Sequence, residues 1–155
     1  MALGDYSHTS AELYTFETDQ WKIVPPYPLH DNLTDMGLIA LDNSFYAFGG
    51  FWSTDDVFTQ HIPVNDIVRF SLDTNQWTRL GQVSRARNSP GVAVINNEFY
   101  IVGGMDDWLW INPWDNTLPT EKCTLVSDTI QCVNQTPELS MFLDPVVFVV
   151  PDGFC

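Results

Sequence analysis

A segment of eight residues occurs three times in this chain, at intervals of about 55 residues. Each copy has an acidic residue at its fourth position, Thr at its fifth and Gln at its seventh. The three copies are Tyr14–Trp21, Phe70–Trp77 and Leu125–Cys132. A second segment recurs with a similar period, as Gly37–Tyr46, Gly91–Tyr100 and Val146–Cys155. A fixed period in this range predicts a repeat architecture, in which each repeat is one supersecondary unit that packs on its neighbours.

Each repeat contains four short apolar runs that are rich in Val, Ile, Phe, Tyr and Leu. Clusters of Asn, Asp, Gly and Pro separate these runs, which is typical of β-strands joined by turns. The predicted strands are 37–41, 45–49, 66–71 and 77–80 in one copy, and 91–95, 99–103, 122–126 and 131–134 in the next. No stretch keeps a 3.6-residue apolar period, so we expect little helix.

Four antiparallel strands repeated at this spacing predict the blade of a β-propeller. The chain resembles the kelch repeats, because the second strand ends in Gly-Gly and an aromatic residue precedes a Trp by seven residues. The matching residues are Gly49-Gly50, Phe70, Trp77 and Gly103-Gly104. The resemblance covers residues 11 to 155 and implies an all-β fold of kelch-type blades, with two full blades plus two half blades.

The expected units are 11–24 (the end of one blade), 36–80 and 90–134 (full blades), and 145–155 (the start of the next blade). The third copy departs from the kelch pattern, because Leu125 and Cys132 replace the aromatic residue and the Trp. The family's Arg before the first strand corresponds to Arg87, whereas Leu33 and Phe142 hold the aligned positions in the other copies.

The number of blades is too small for a closed ring. Two full and two half blades sum to about three, and propellers typically contain four to eight. Three explanations stay open: a fragment of a longer chain that supplies the remaining propeller blades, a homodimer that forms a six-bladed ring, or stabilisation by other domains or partners.

The composition is strongly acidic, with 20 acidic and 6 basic residues and a formal net charge of −14. This balance disfavours nucleic acid and anionic membranes as partners. No apolar run approaches 18 residues, so we expect no membrane insertion. The first eight residues lack a basic region and an apolar core, so we do not interpret them as a signal peptide.

Cys123 and Cys132 lie on two predicted strands, at equal distances from the turn around Asp128. Paired positions on adjacent strands place Cβ atoms about 4.5–5.5 Å apart, which is near disulfide reach. We therefore predict a Cys123–Cys132 disulfide, although two buried free thiols are the alternative. Cys155 is left without a predicted partner in the chain.

Two glycosylation sequons, at Asn32 and Asn134, fall in predicted loops. Together with the predicted disulfide, they favour an extracellular, secreted protein. The resemblance implies the alternative, a cytoplasmic location, because kelch proteins are mostly intracellular.

Strand parity predicts where a partner binds, because the loops after the second and fourth strands of a blade leave on one face. These loops, 22–36, 51–65, 81–90, 105–121 and 134–145, are the long ones, and long loops on a rigid scaffold usually carry function. We call this surface the loop face. Its predicted partner-binding residues are Trp52, Asp55, Asp56, Arg85, Arg87, Asp106, Asp107, Trp108, Trp110 and Trp114.

Each of these predictions has a structural alternative. Loop Trp residues can cap or pack the blades instead of binding a ligand, and Arg85 and Arg87 can pair with Asp106 or Asp107. Trp21 and Trp77 are predicted to pack between blades. The four loop acids have no Asp-x-Asp-x-Asp spacing, so we predict no metal site and no cofactor.

The sequence shows no nucleophile elbow, phosphate-binding Gly loop or His/Glu metal motif. We therefore predict a non-enzymatic scaffold, with no catalytic residues, that binds a protein segment or a glycan. The alternative is a carbohydrate-binding or carbohydrate-active propeller enzyme, because Trp beside Asp suits the stacking and hydrogen bonding of sugars.

Overall fold

The computed structural model describes residues 2–5, 8–30, 33–53, 61–106, 118–135, 145–147 and 149. These residues form β-strands and turns, with no helix among them. The strands are β1 (Ala2–Asp5), β2 (His8–Thr15), β3 (Gln20–Val24), β4 (Leu33–Thr34), β5 (Gly37–Leu41), β6 (Ser44–Phe48), β7 (Phe51–Ser53), β8 (His61–Pro63), β9 (Asp66–Ser71), β10 (Gln76–Gln82), β11 (Gly91–Ile95), β12 (Glu98–Val102), β13 (Glu121–Val126) and β14 (Thr129–Asn134). In this part of the chain no helix is long and apolar enough to cross a membrane.

Two four-stranded antiparallel sheets form the centre of the molecule, and they confirm the predicted all-β fold of four-stranded blades. The second sheet has the order β5-β6-β9-β10, and the third sheet has the order β11-β12-β13-β14. Their eight strands lie within one or two residues of the predicted runs. The tight turns also agree, because Asp42, Asn96 and Asn97 have positive φ angles of 51°, 52° and 62°, which Asp and Asn tolerate in two-residue hairpins.

The first sheet has one more strand than the sequence predicted. Besides β2 and β3, it contains β1, whose Ala2 and Leu3 lie opposite Glu12 and Ala11. Ala47 and Phe48 lie opposite the equivalent residues of β9 in the second sheet. The first sheet therefore holds the second, third and fourth strand positions of a blade. A four-residue strand has too little sequence pattern to be recognised without its partner.

A small fourth sheet, β4-β7-β8, forms where the sequence predicted only loops. Leu33 pairs with Trp52 and Thr34 with Phe51, so the residues after Gly49-Gly50 fold back on the segment before β5. The third sheet repeats this feature as an isolated bridge between Asn88 and Met105. Part of the loop face is therefore regular β-structure.

Aromatic side chains fill the space between neighbouring sheets. Tyr46 and Phe48 of β6 contact the ring of Phe99 in β12, at centroid distances of 4.7 and 5.3 Å. Trp77 packs toward the first sheet, and its indole nitrogen donates a hydrogen bond of 2.7 Å to the carbonyl oxygen of Pro25. The prediction that Trp77 packs between blades is confirmed. Trp21 holds the equivalent place in the first sheet and is 59% exposed.

Gly37 and Gly91, the first residues of β5 and β11, each contact the chain segment that follows their own sheet. A Cβ on Gly37 would lie 2.5 Å from Val92 Cγ2 and 2.8 Å from the carbonyl oxygen of Pro90. A Cβ on Gly91 would meet Val147 and Pro145 at 2.5 and 2.7 Å. Residues 145–147 therefore lie against the third sheet in the same way that the third sheet begins against the second. The division into units 11–24, 36–80, 90–134 and 145–155 itself stays a prediction.

The predicted disulfide joins Cys123 of β13 to Cys132 of β14, with a Cα–Cα distance of 4.0 Å. The strand pairing confirms that Cys132 holds the position of Trp77. Phe99 lies opposite Cys123 and Cys123 opposite Cys132, just as Phe45 lies opposite Phe70 and Phe70 opposite Trp77. Cys123, and not Leu125, therefore holds the position of the aromatic residue. Each strand of the later hairpin runs two residues further toward the turn, and that turn has two residues where the turn between β9 and β10 has four.

Candidate functional site

Backbone hydrogen bonds connect the loops of the loop face to one another. The Arg87 amide donates to the Val64 carbonyl oxygen at 3.0 Å, and the Arg87 carbonyl oxygen accepts from the Gly50 amide at 2.9 Å. The Ser89 amide donates to Asp35 across the same boundary at 2.7 Å. Gly50 has a φ of 103°, and a Cβ on Gly49 would lie 2.3 Å from Arg87 O, so Gly-Gly fits both the turn and the close approach. The second and third sheets thus share one hydrogen-bonded platform.

Arg87 lies inside this platform, with its side chain wholly buried. Its guanidinium donates to Glu121 Oε1 at 2.5 Å and to the carbonyl oxygens of Gly103 and Pro119 at 3.2 and 3.1 Å. Burial lowers the pKa of Arg87 from its ordinary value, and the charge of Glu121 opposes that shift. Since each buried group is paired, we leave Arg87 out of the proposed binding surface. Its sequence context could not reveal this, because burial of a loop Arg depends on the neighbouring sheet.

Arg85 and Asp106 form an ion pair at the surface of the same platform. Arg85 is about half exposed, whereas Asp106 is mostly buried. The pairing agrees with the structural alternative stated for Arg85 in the sequence. It leaves Arg85 partly accessible at the loop face, but not as a free charge.

Trp52 lies in a second cluster, about one repeat before Asp106 in the chain. The ring of His30 stacks on the indole of Trp52 at a centroid distance of 5.4 Å and an interplanar angle of 14°. His30 Nε2 lies 3.4 Å from Asp66 Oδ2, and Arg79 Nε donates to Asp66 Oδ1 at 2.7 Å. One mostly buried carboxylate therefore holds both an imidazole and a guanidinium beside an indole. We call Trp52, His30, Asp66 and Arg79 the indole cluster.

Tyr27 lies beneath the indole cluster, in the apolar core that Trp52 and Trp77 also contact. Its ring meets Trp77 edge-on at 5.6 Å. Its hydroxyl is buried and has no hydrogen-bond partner among the described residues. Burial raises the pKa of Tyr27 well above its ordinary value, and the charge of Asp66 adds to this effect. Tyr27 therefore stays protonated and leaves an unused donor inside the fold.

Asp66 and Glu121 are each the first residue of the third strand in their sheet, but they hold different positions. Glu121 pairs with Ile101, whereas Val68 pairs with the equivalent Ala47 in the second sheet. Glu121 accepts hydrogen bonds from Arg87 and from the backbone amide of Ser84. Leu33 replaces Arg87 in the earlier repeat, and His30 and Arg79 are the partners of Asp66 there. The acid of the third sheet is therefore paired with a buried cation, and the acid of the second sheet with a partly exposed imidazole and guanidinium.

Most other predicted site residues lie outside the described part of the chain. These are Asp55, Asp56, Asp107, Trp108, Trp110 and Trp114, together with the sequon residue Asn32. His30, Asp66 and Arg79 were not predicted, because each is isolated in the sequence and only the folded chain, through the pairing of β9 with β10, brings them together. Among the described residues no group of three or more His, Cys, Asp or Glu is arranged to hold a metal ion.

The sequence of this chain is similar to those of known kelch proteins. The Kelch motif family matches residues 33–84. Kelch-like protein 28 of Homo sapiens is 31% identical over 98 residues, which are 63% of this chain and 17% of that protein. Kelch-like protein terF of Aspergillus terreus is 24% identical over 94 residues, which are 61% of this chain and 20% of that protein. The chain thus spans about a fifth of the length of these curated relatives.

Similarity to solved structures supports the fold independently. The structure of YjhT, a kelch β-propeller, superposes with a TM-score of 0.60 at 13% sequence identity and covers 78% of this chain and 43% of that chain. The four-stranded sheets, the Gly-Gly platform and the matched motif agree with one another. The chain therefore belongs to the kelch-repeat family of β-propeller proteins.

Proposed function

We propose that this chain is a non-enzymatic binding scaffold that holds a protein segment on its loop face. Kelch proteins are generally protein-interaction scaffolds. The observation that carries the proposal is the indole cluster, in which a partly buried Trp is stacked with a His that is 26% exposed, on a platform of paired strands. Trp offers a large rigid contact area at small entropic cost and is over-represented at binding hot spots.

The charges around Trp52 favour a specific contact. Asp66 fixes the Arg79 guanidinium through its Nε, while 46% of the Arg79 side chain remains exposed. A group held in this way loses less side-chain entropy on binding than a free Arg does. The net charge of −14 also favours partners with a basic surface, whose association is faster at low salt.

A peptide library displayed on phage, together with a glycan array, tests this proposal on the full chain. We expect peptides to be selected, and Trp52→Ala to weaken their binding at least tenfold, which is about 1.4 kcal/mol. Trp52→Phe keeps most of the packing and is expected to retain part of the affinity. Leu72→Ala is the matched control, because Leu72 is a large exposed apolar residue in the turn between β9 and β10.

Two results would contradict the proposal. Equal binding by wild type and Trp52→Ala would remove the indole cluster from the site. Binding to glycans but not to peptides would favour the carbohydrate alternative, and turnover of a bound glycan would favour an enzyme.

We also propose an extracellular location. The Cys123–Cys132 disulfide supports it, because such bonds persist in oxidising compartments. Asn134 ends β14 and is exposed, with its Oδ1 within 3.4 Å of Ser84 Oγ, and we propose it as a glycan attachment site together with Asn32. Expression in a secreting eukaryotic cell tests both points, since Asn134→Gln and Asn32→Gln should each remove one enzyme-sensitive mass increment. Retention of unmodified, reduced chain in the cytosol would contradict them.

A further inference from the structure

We propose that two copies of this chain join end to end into a closed six-bladed ring. In this assembly the open face of the first sheet packs on the open face of the third sheet of the other copy. We call the first surface the leading face, which carries Tyr14, Trp21 and Ile23. We call the second surface the trailing face, which carries Tyr100, Val126 and Val133. This interaction is independent of the proposed partner binding on the loop face.

The leading face repeats the surface of the second sheet that is already covered inside the molecule. The rings of Tyr14 and Trp21 lie 5.2 Å apart at an angle of 51°, and those of Phe70 and Trp77 lie 5.1 Å apart at an angle of 52°. Phe70 is fully buried against Ala11 and Val24 of the first sheet. Trp21 and Ile23, in contrast, are 59% and 75% exposed.

The interface between the first and second sheets also shows what such a surface binds. The chain leaving β3 crosses Trp77, so that Pro25 accepts the indole hydrogen bond and Tyr27 contacts the ring. The leading face has the same kind of aromatic pair, so we expect it to bind the end of a fourth strand and a backbone carbonyl oxygen just after that strand. Among the described strands, β14 is the fourth strand of a sheet whose outer face is uncovered.

The trailing face of the third sheet corresponds to the face of the second sheet that is buried against the third sheet. Tyr100 and Val102 of β12 correspond to Tyr46 and Phe48, which contact Phe99 in the next sheet. On the third sheet these positions are only half buried, and Val133 beside them is 55% exposed. Ile95 and Val126 are also exposed there. The two open faces are therefore the two halves of an interface that the molecule already forms twice.

The count of sheets favours a second copy as the occupant. The described residues of one copy form three large sheets, whereas closed propellers typically have four to eight, so two copies give a ring of six. The superposition with YjhT covers 78% of this chain and 43% of that chain, so that structure is about 1.8 times as long (78 divided by 43). Two copies therefore contain enough residues for one such ring.

The free edge of β1 fits the same arrangement. The first sheet has the order β1-β2-β3, with no strand beside β1 at the first position among the described residues. Pro145 and Val147 lie against Gly91, at the place beyond the trailing face where the first strand of a next sheet would start. In the ring, this first-strand position lies beside β1 of the second copy. Head-to-tail contacts of this kind close when the rotation per copy completes the circle.

Light scattering after size exclusion of the full chain is the first test. We expect a folded particle of about 35 kDa, twice the chain mass of 17.6 kDa. Because each copy has a net charge of −14, added salt should strengthen the association. Trp21→Arg should shift the particle to a monomer, while Leu72→Ser, which alters an exposed residue away from both faces, should leave the dimer intact.

Chemical cross-linking tests the head-to-tail geometry. Ile23→Cys and Val133→Cys are made separately in a Cys155→Ser background and treated with a bis-maleimide of about 10 Å, the spacing of packed sheets. The mixture of the two variants should give cross-linked dimer, and each variant alone should give little. Efficient cross-linking of either variant alone would overturn the head-to-tail geometry.

The other possible results of these measurements would contradict the proposal. A folded monomer, an open series of higher oligomers, or an unfolded chain for the wild type would overturn it. The last two would indicate that further blades from a longer chain or another protein cover the two faces.

Discussion

Arg87 and Glu121 form a wholly buried ion pair that connects the segment entering the third sheet to its third strand. Four protein acceptors surround the guanidinium, and Glu121 also accepts from the Ser84 amide. Arg87 in addition exchanges backbone hydrogen bonds with Val64 and Gly50 of the preceding repeat. The same residue therefore joins the second sheet, the third sheet and the loop face.

We expect Arg87→Met to destabilise the protein by about 3–5 kcal/mol, because it leaves the carboxylate of Glu121 buried without its cation. The measurement is the free energy of unfolding in urea. The double variant R87M/E121L should recover most of the loss, since it removes both buried charges. Equal stability of R87M and wild type would contradict the structural role given to this pair.

Tyr27→Phe is expected to preserve or raise the free energy of unfolding, by up to about 1 kcal/mol. The Tyr27 hydroxyl is buried without a partner, so its removal ends a desolvation cost without breaking a hydrogen bond. Since the pKa of Tyr27 is raised in the fold, wild type should lose stability as the pH rises above the ordinary Tyr value of about 10. The variant should lose less over the same range. A loss above 1 kcal/mol at neutral pH would show that the hydroxyl has a partner.

Removal of the disulfide by C123A/C132A should destabilise the chain by about 2–3 kcal/mol, because the bond closes a short loop in the unfolded state. Thermal unfolding with and without reductant measures this effect. The double variant should show no response to reductant. A response of equal size in the variant would indicate that another thiol is responsible.

Gly37→Ala is expected to cost about 1–3 kcal/mol, since the new Cβ would lie 2.8 Å from the backbone oxygen of Pro90. Backbone cannot move aside as a flexible side chain can. The control is Gly81→Ala, whose Cβ would lie 2.9 Å from a side-chain methyl and 3.0 Å from the backbone oxygen of Ile130, both longer than the 2.5 and 2.8 Å contacts at Gly37. Chemical denaturation should rank Gly37→Ala as the more damaging change, and the reverse order would contradict the argument.

The sequence predicted the eight strands of the two complete sheets because their signals are local. Alternation, Gly-Gly and Asn or Asp turns each act within a few residues. It also predicted the Cys123–Cys132 bond, because both residues flank one short turn. It assigned Leu125 the position of Phe70, however, where the strand pairing puts Cys123, since an alignment of repeats does not register that the later hairpin is two residues longer.

The indole cluster and the buried pair were decided by tertiary structure alone. His30, Trp52 and Asp66 come from three separate segments, and only the pairing of β4 with β7 and the position of β9 bring them together. Arg85 and Arg87 are two residues apart and have the same type of side chain, yet one is about half exposed and the other is wholly buried. The sequence by itself determined the repeat, the strands of the two complete sheets and the kelch family, because these depend on local pattern. Only the packing of one sheet on the next decided which charges are buried and which side chains remain available to a partner, since the free energy of a charge depends on what surrounds it.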